Sequence, residues 1–189
     1  MEIFTTFGEQ YKGIYLARFV NCTFYNTPQA YETELDKIQE EFQDPLFVRN
    51  FIKSTASGWK KGDYRNVNLT SLSHDVLLET ADLFDKLVSV SEDAQSEDCF
   101  EILFDNFKEL SAKERLNDPG RRKMYTYEHS SLLRIYGVLL GTECLIITGA
   151  GIKLVGQMSD SDALQLELDK MSYLVTWLKE NNITDTTDL

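Results

Sequence analysis

Hydrophobic and polar positions are spaced differently along the chain, and the changes in spacing predict its first elements. Residues 1–7 and 13–24 are rich in Ile, Phe, Tyr, Thr and Val, with a turn between them. Such residues favour extended backbone, so these segments predict an opening hairpin, or one strand and an extended arm. From residue 27 the apolar positions recur every three or four residues, which predicts an amphipathic helix that ends before Pro45.

The middle of the chain continues this helical pattern. A second short helix is predicted through residues 47–52, and the loop after it carries Trp59 as an exposed-looking aromatic. Asn68 or Thr70 can then cap a longer helix, because short polar side chains accept hydrogen bonds from the first backbone N–H groups of a helix. We therefore expect residues 55–110 to be mainly helical.

After residue 120 the pattern changes to short apolar runs separated by turns. These runs predict four strands, at residues 123–128, 132–139, 143–148 and 152–155. Gly141 lies in a tight turn between the second and the third, and Ser161 opens a last helix. The simplest packing is a single α+β domain over residues 1–189, with an antiparallel meander sheet of four to five strands covered by helices on one face.

The charge of the chain is strongly negative but uneven. Nineteen Lys and Arg residues against 31 Asp and Glu residues give a net charge of −12. This balance argues against general attraction to nucleic acid or to an anionic membrane. Residues 113–153 contain seven cations and four anions, so this segment carries +3 and the remainder −15. Any anion-binding surface should lie in the basic segment.

Other features of the sequence indicate a cytoplasmic protein without metal or cofactor. Cys22, Cys99 and Cys144 are far apart and form no CxxC pair, which fits a reducing compartment. The N-terminus lacks the pattern of a signal peptide. The longest apolar stretch, residues 132–155, is interrupted by charged residues and cannot cross a membrane. The acidic stretches match no metal-ligand spacing and are typical of solvated faces.

Candidate chemistry is concentrated on the predicted strands. Arg134 and Tyr136 are two residues apart, so they should project from the same face, and Lys153 follows two glycines that permit a close approach. A guanidinium and an ammonium that converge can hold a phosphate. His129 lies beside a strand end and can move a proton near neutral pH, whereas His74 is predicted on a helix surface. The alternative is an ordinary solvated sheet face.

The sequence Leu-Arg-Ile-Tyr-Gly at residues 133–137, the Gly141 turn, Leu-Ile-Ile-Thr-Gly-Ala-Gly-Ile-Lys at residues 145–153 and the last helix resemble the RelE/HigB/ParE-like toxin superfamily of bacterial toxin–antitoxin systems. The resemblance covers mainly residues 121–180 and, loosely, 1–53. It implies a small twisted antiparallel sheet preceded by two helices. This chain is longer than the usual members, so residues 55–110 are expected to be a helical insertion.

The resemblance also implies an activity and a site. The RelE and HigB branches cut messenger RNA on the ribosome without a metal, using the 2′-hydroxyl of the RNA as nucleophile. By analogy Arg134 contacts the phosphate, Lys153 stabilises the transition state, and Tyr136 or Tyr125 stacks on a base or relays a proton. Implied partners are an antitoxin protein and mRNA or the ribosome. The candidate binding residues of the basic meander are Arg121, Arg122, Lys123, Tyr125 and His129.

Three hypotheses follow. The favoured one is a cytoplasmic, toxin-like endoribonuclease that pairs with an antitoxin. The second is a non-catalytic interaction module with the same fold, in which residues 55–110 and the acidic surface bind a partner. A compact positive cleft around Arg121, Arg134 and Lys153 is expected for the nuclease only. A third is a nucleic-acid mimic, which requires the acidic residues to line up as a stripe.

Overall fold

The computed structural model describes residues 1–5, 14–19, 24, 31–60, 64–93, 106–110, 120–124, 131–141 and 144–189. Its strands are β1 Glu2–Thr5, β2 Ile14–Arg18, β3 Lys108–Glu109, β4 Arg121–Met124, β5 Leu133–Leu140 and β6 Cys144–Ile152. The predicted opening hairpin is confirmed, because β1 and β2 pair in antiparallel fashion. Gly141 adopts a positive φ of 61° in the turn that joins β5 to β6, a conformation that favours glycine.

The six strands form a mixed sheet in the order β1-β2-β6-β5-β4-β3. All neighbours are antiparallel except β2 and β6, which run parallel from Ile14 beside Leu145 to Leu16 beside Ile147. The prediction of a purely antiparallel sheet is therefore wrong. The chain between β2 and β6 is long and includes helices, which permits the crossover that parallel pairing requires.

The described helices are α1 Glu34–Gln43, α2 Pro45–Ser54, α3 Ala56–Trp59, α4 Leu69–Asp93 and α5 Asp162–Glu180. Helix α1 begins at Glu34, where Thr33 caps it: the Thr33 hydroxyl oxygen accepts a hydrogen bond from the Asp36 N–H at 3.2 Å. The start predicted at residue 27 lies outside the described residues. The predicted cap of α4 is confirmed at Asn68, whose side-chain oxygen accepts a hydrogen bond from the Ser71 N–H at 2.7 Å.

Helices cover both faces of the sheet, so the prediction that they lie on one face is wrong. On the first face, α1, α2 and α4 pack on Leu133, Ile135 and Ile147 and form the first core. On the second face, α5 packs on Val138 and Ile146 and forms the second core. The physical reason is that β5 and β6 carry consecutive apolar residues, and strands of this kind bury both of their faces.

Two local predictions in the core also need correction. Trp59 is buried in the first core, and its indole Nε1 donates a hydrogen bond to the Ile52 carbonyl at 2.8 Å. In place of the two strands predicted at residues 143–148 and 152–155 there is one strand, β6, which continues through residues 149–151 and ends at Ile152. It carries a bulge, because Tyr136 lies opposite Gly149 whereas the next residue of β5 lies opposite Ile147.

Helix α4 lies within the segment that we expected to be an insertion, and it contributes to the first core. Its residues Leu72, Val76, Leu83 and Leu87 are buried there. The buried carboxylate of Glu79 accepts hydrogen bonds from the Ser131 hydroxyl and, at 2.7 Å, from the Leu132 N–H. The helix is therefore anchored to the start of β5. Most of the further helix expected before residue 110 lies outside the described residues, and whether the segment is an insertion stays a prediction.

Candidate functional site

The meander positions basic side chains on neighbouring strands. Directly opposed residues of an antiparallel pair project to the same face, as do alternate residues of one strand. Lys123 on β4 lies opposite Tyr136 on β5, and Arg134 lies opposite Gly151 on β6. Tyr136 belongs to the second core, so Lys123 and Arg134 both lie on the second face.

Two further cations extend this set on either side. Lys108 on β3 lies opposite Lys123 and is exposed. Lys153 directly follows β6 between Ile152 and Leu154, which both contribute to the first core, so the Lys153 side chain is directed to the second face. We call this set the basic row; its members are Lys108, Lys123, Arg134 and Lys153.

The basic row is reachable from solvent, because Lys123, Arg134 and Lys153 are only half-buried. Helix α5 packs on β5 and β6 of the same face. A row of guanidinium and ammonium groups held by neighbouring strands can bind successive oxygens of a phosphate backbone. The structure therefore brings together two of the three predicted catalytic residues, Arg134 and Lys153, with Lys123 from the predicted binding set.

Arg121 and Arg122 are placed differently from the basic row. Arg121 lies opposite Val138 on the second face and is 5% exposed, whereas Arg122 lies opposite Gly137 on the first face and is 6% exposed. The two guanidinium side chains thus diverge and are largely covered. Their role as binding residues stays a prediction.

The aromatic and imidazole residues considered in the sequence differ in where they lie. Tyr136 is 0% exposed and packs in the second core, where its ring lies 3.6 Å from the position that a Cβ on Gly151 would take. Tyr125 and His129 lie outside the described residues, so their predicted roles are untested. His74, predicted on a helix surface, is exposed on α4.

A buried ionic cluster next to Tyr136 was not predicted. The Lys170 ammonium on α5 donates hydrogen bonds to Glu34 of α1 and to Glu167 of α5, both at 2.8 Å. All three side chains are buried. Burial raises the pKa of Glu167 to about 7, while the neighbouring Lys170 charge acts in the opposite direction. Since α1 and α5 cover opposite faces, this cluster joins the two helical layers.

Two glycines of β6 make room for side chains of α5, one of them Glu167 of the cluster. A Cβ on Gly149 would overlap Glu167 Oε2, and a Cβ on Gly151 would lie 2.6 Å from Leu164 Cδ2. A signal for the buried carboxylate was present in the sequence. Glu167 is three residues after Leu164 and four before Met171, so it falls within the apolar stripe of α5.

A groove of about 890 Å³ lies between α1, α4 and β2. Its floor is apolar and its rim carries carboxylates, among them Asp36 and Asp85. A smaller cavity of about 390 Å³ lies between the end of α2 and the start of α5 and includes Asp160 and Asp162. Neither cavity is lined by a member of the basic row.

The described residues contain no group of three or more His, Cys, Asp or Glu side chains placed to hold a metal ion. Of the helices in the same part of the chain, none combines the length and the apolar character needed to cross a membrane.

Comparisons of the chain with family models, with curated proteins and with solved structures found no match.

Proposed function

We propose that the chain is a cytoplasmic, toxin-like component of a bacterial toxin–antitoxin system that cleaves mRNA as a metal-independent endoribonuclease. The observation that carries the proposal is the basic row, which places Arg134 and Lys153 on one face of neighbouring strands with Lys123 beside them. Side chains on strands are held in place by the backbone, which suits a site that must orient a scissile phosphate.

In the proposed reaction the RNA supplies its own nucleophile. The 2′-hydroxyl oxygen attacks the adjacent phosphorus, the bond to the 5′ oxygen breaks, and a 2′,3′-cyclic phosphate and a 5′-hydroxyl result. Arg134 binds the phosphate oxygens, and Lys153 stabilises the additional negative charge of the transition state. Tyr125 is the proposed group for stacking or for relaying the proton.

The complete burial of Tyr136 changes its proposed role. A side chain with no exposed surface does not reach an RNA substrate in this arrangement. Its ring lies beside Gly151, and Gly151 is the partner of Arg134 across the ladder. We therefore assign Tyr136 a positioning role under Arg134 and do not retain it as a catalytic residue.

The test is induced expression in a bacterial host, with growth and RNA integrity as readouts. We expect growth arrest and RNA cleavage for the wild type and neither for the double variant Arg134→Ala/Lys153→Ala. The matched control Arg49→Ala/Lys179→Ala removes two exposed cations from α2 and α5 and should behave like the wild type. Purified protein should cleave RNA in the presence of EDTA and leave cyclic phosphate ends.

A second candidate is the non-catalytic interaction module. The observation that favours it is the burial of Arg121, because a compact positive cleft around Arg121, Arg134 and Lys153 was the feature expected of a nuclease. Under this hypothesis well-folded wild type causes no growth arrest and leaves RNA intact. That result would exclude the nuclease.

A further inference from the structure

The groove between α1 and α4 has the construction of a helix-binding site. Leu16 of β2, Leu35 of α1 and Leu87 of α4 line its base and are buried. Phe84 and Val88 line the same groove, but Phe84 is only half-buried and Val88 is 40% exposed. Apolar surface thus remains open to solvent above a packed floor.

The rim of the groove is negatively charged. Glu32 and Asp36 on the α1 side and Asp85 on α4 are all exposed. Arg18, the one cation among the described lining residues, forms an ion pair with Glu2 at 3.3 Å, so its charge is partly offset. The groove therefore combines an apolar floor with carboxylates on both sides.

The spacing of the lining residues sets the size of the occupant. On α4 they fall at residues 81, 84, 85, 87 and 88, which spans about two helical turns or ~10 Å. On α1 they extend from Thr33 to Gln43, about three turns or ~15 Å. A segment of two to three helical turns, with apolar residues at positions i, i+3, i+4 and i+7, matches this length.

We propose that this groove binds a basic amphipathic helix of a partner protein. Its apolar face would lie on Phe84 and Val88, and its flanking Lys and Arg side chains would face Asp36 and Asp85. This inference does not depend on RNA cleavage. It assigns a partner of opposite charge to an acidic surface, which favours association and its specificity.

Charge argues against two other occupants. A second copy of this chain carries a net charge of −12 and would bring like charges together. The chain's own residues 94–105, which follow α4, contain four carboxylates and no Lys or Arg, so they do not complement the rim either. Both occupants are nevertheless distinguished by the experiment.

The probe is a fluorescent 14-residue peptide with leucines at i, i+3, i+4 and i+7 and lysines on both flanks. The control peptide carries glutamate in place of each lysine. Fluorescence anisotropy with the full-length protein should show binding of the lysine peptide only, weaker at higher salt. Equal binding of the glutamate peptide, or a mass that doubles without peptide, would overturn the proposal.

Variants locate the binding site. Val88→Glu places a charge in the apolar floor and should weaken binding about tenfold or more. Asp85→Asn should weaken it about threefold and reduce its salt dependence. The matched controls Leu78→Glu and Asp75→Asn change exposed residues of the same helix outside the groove and should leave binding unchanged.

The remaining outcomes decide against the proposal. If the groove variants and the controls bind the lysine peptide alike, the groove is not its site. If no peptide binds and Val88→Glu lowers the melting temperature whereas Leu78→Glu does not, the chain itself fills the groove. Circular dichroism establishes folding, and Asp85→Asn, an exposed polar change, keeps the test decisive should Val88→Glu unfold.

Discussion

The two faces of the sheet differ in the chemistry of the side chains that cover them. The first core, under α1, α2 and α4, packs apolar side chains against Leu133, Ile135 and Ile147. The second face carries the basic row, and the buried cluster of Glu34, Lys170 and Glu167 joins α5 on this face to α1 on the first. Stability on the first face is therefore expected to depend mainly on packed volume and buried apolar area, whereas the cluster adds a dependence on protonation.

The largest effect is expected where a buried charge loses its partner. Lys170→Met leaves the carboxylates of Glu34 and Glu167 buried together without the ammonium that is hydrogen-bonded to both. We expect a loss of about 3–5 kcal/mol in the free energy of unfolding at pH 8, and a smaller loss at pH 5. Denaturant unfolding measures both. Lys179→Met, at an exposed position of the same helix, is the control. An equally large loss for this variant would show that the loss in Lys170→Met does not come from the buried cluster.

On the first face, a large-to-small change should have no such pH dependence. Leu133→Ala removes a fully buried side chain and should cost about 2–5 kcal/mol, through lost apolar transfer and the cavity left behind. The same unfolding measurement at pH 8 and pH 5 should give the same loss. A loss that changes with pH would show that the two faces are not independent.

The smallest predicted effect is a gain in the free energy of unfolding, expected when the Glu167 charge is removed. The pKa of Glu167 is about 7 in the folded protein against an ordinary value of 4.5, so the folded state binds this proton more tightly than the unfolded state. The unfavourable contribution is fully present above pH 7 and disappears as the pH falls to 4.5.

Glu167→Gln removes this carboxylate charge and keeps an oxygen that can accept from Lys170. The variant should exceed the wild type in stability by about 1–3 kcal/mol at pH 8, with the difference shrinking as the pH falls below 7. Parallel unfolding curves from pH 5 to pH 8 measure it. A constant difference across this range would contradict the shifted pKa.

Local elements of the fold could be predicted because their signals are local. The opening hairpin, the Asn68 cap, the Gly141 turn and the helix that follows Ser161 each depend on a few adjacent residues. The parallel pairing of β2 with β6 could not be predicted, since its register joins Ile14 to Leu145 across most of the chain.

The candidate site was predictable only in part for a related reason. Strand alternation correctly placed Arg134 on the face shared with Tyr136, but alternation does not say what covers that face. Helix α5 buries Tyr136 there. Similarly, the acidic stretch that includes Glu34 was interpreted as a solvated face, because the partner of Glu34, Lys170, lies far from it in the sequence.

The ion pair between Lys170 and Glu34 joins residues that are 136 positions apart. A ribosome releases the N-terminal end first, so Glu34 leaves the exit tunnel long before its partner has been translated. Until Lys170 has been synthesised, the Glu34 carboxylate has no ammonium partner, and burying it alone is unfavourable, so it stays solvated. The two helical layers can therefore be joined by this ion pair only after α5 has been translated, and fragments that end before α5 should remain open to proteases.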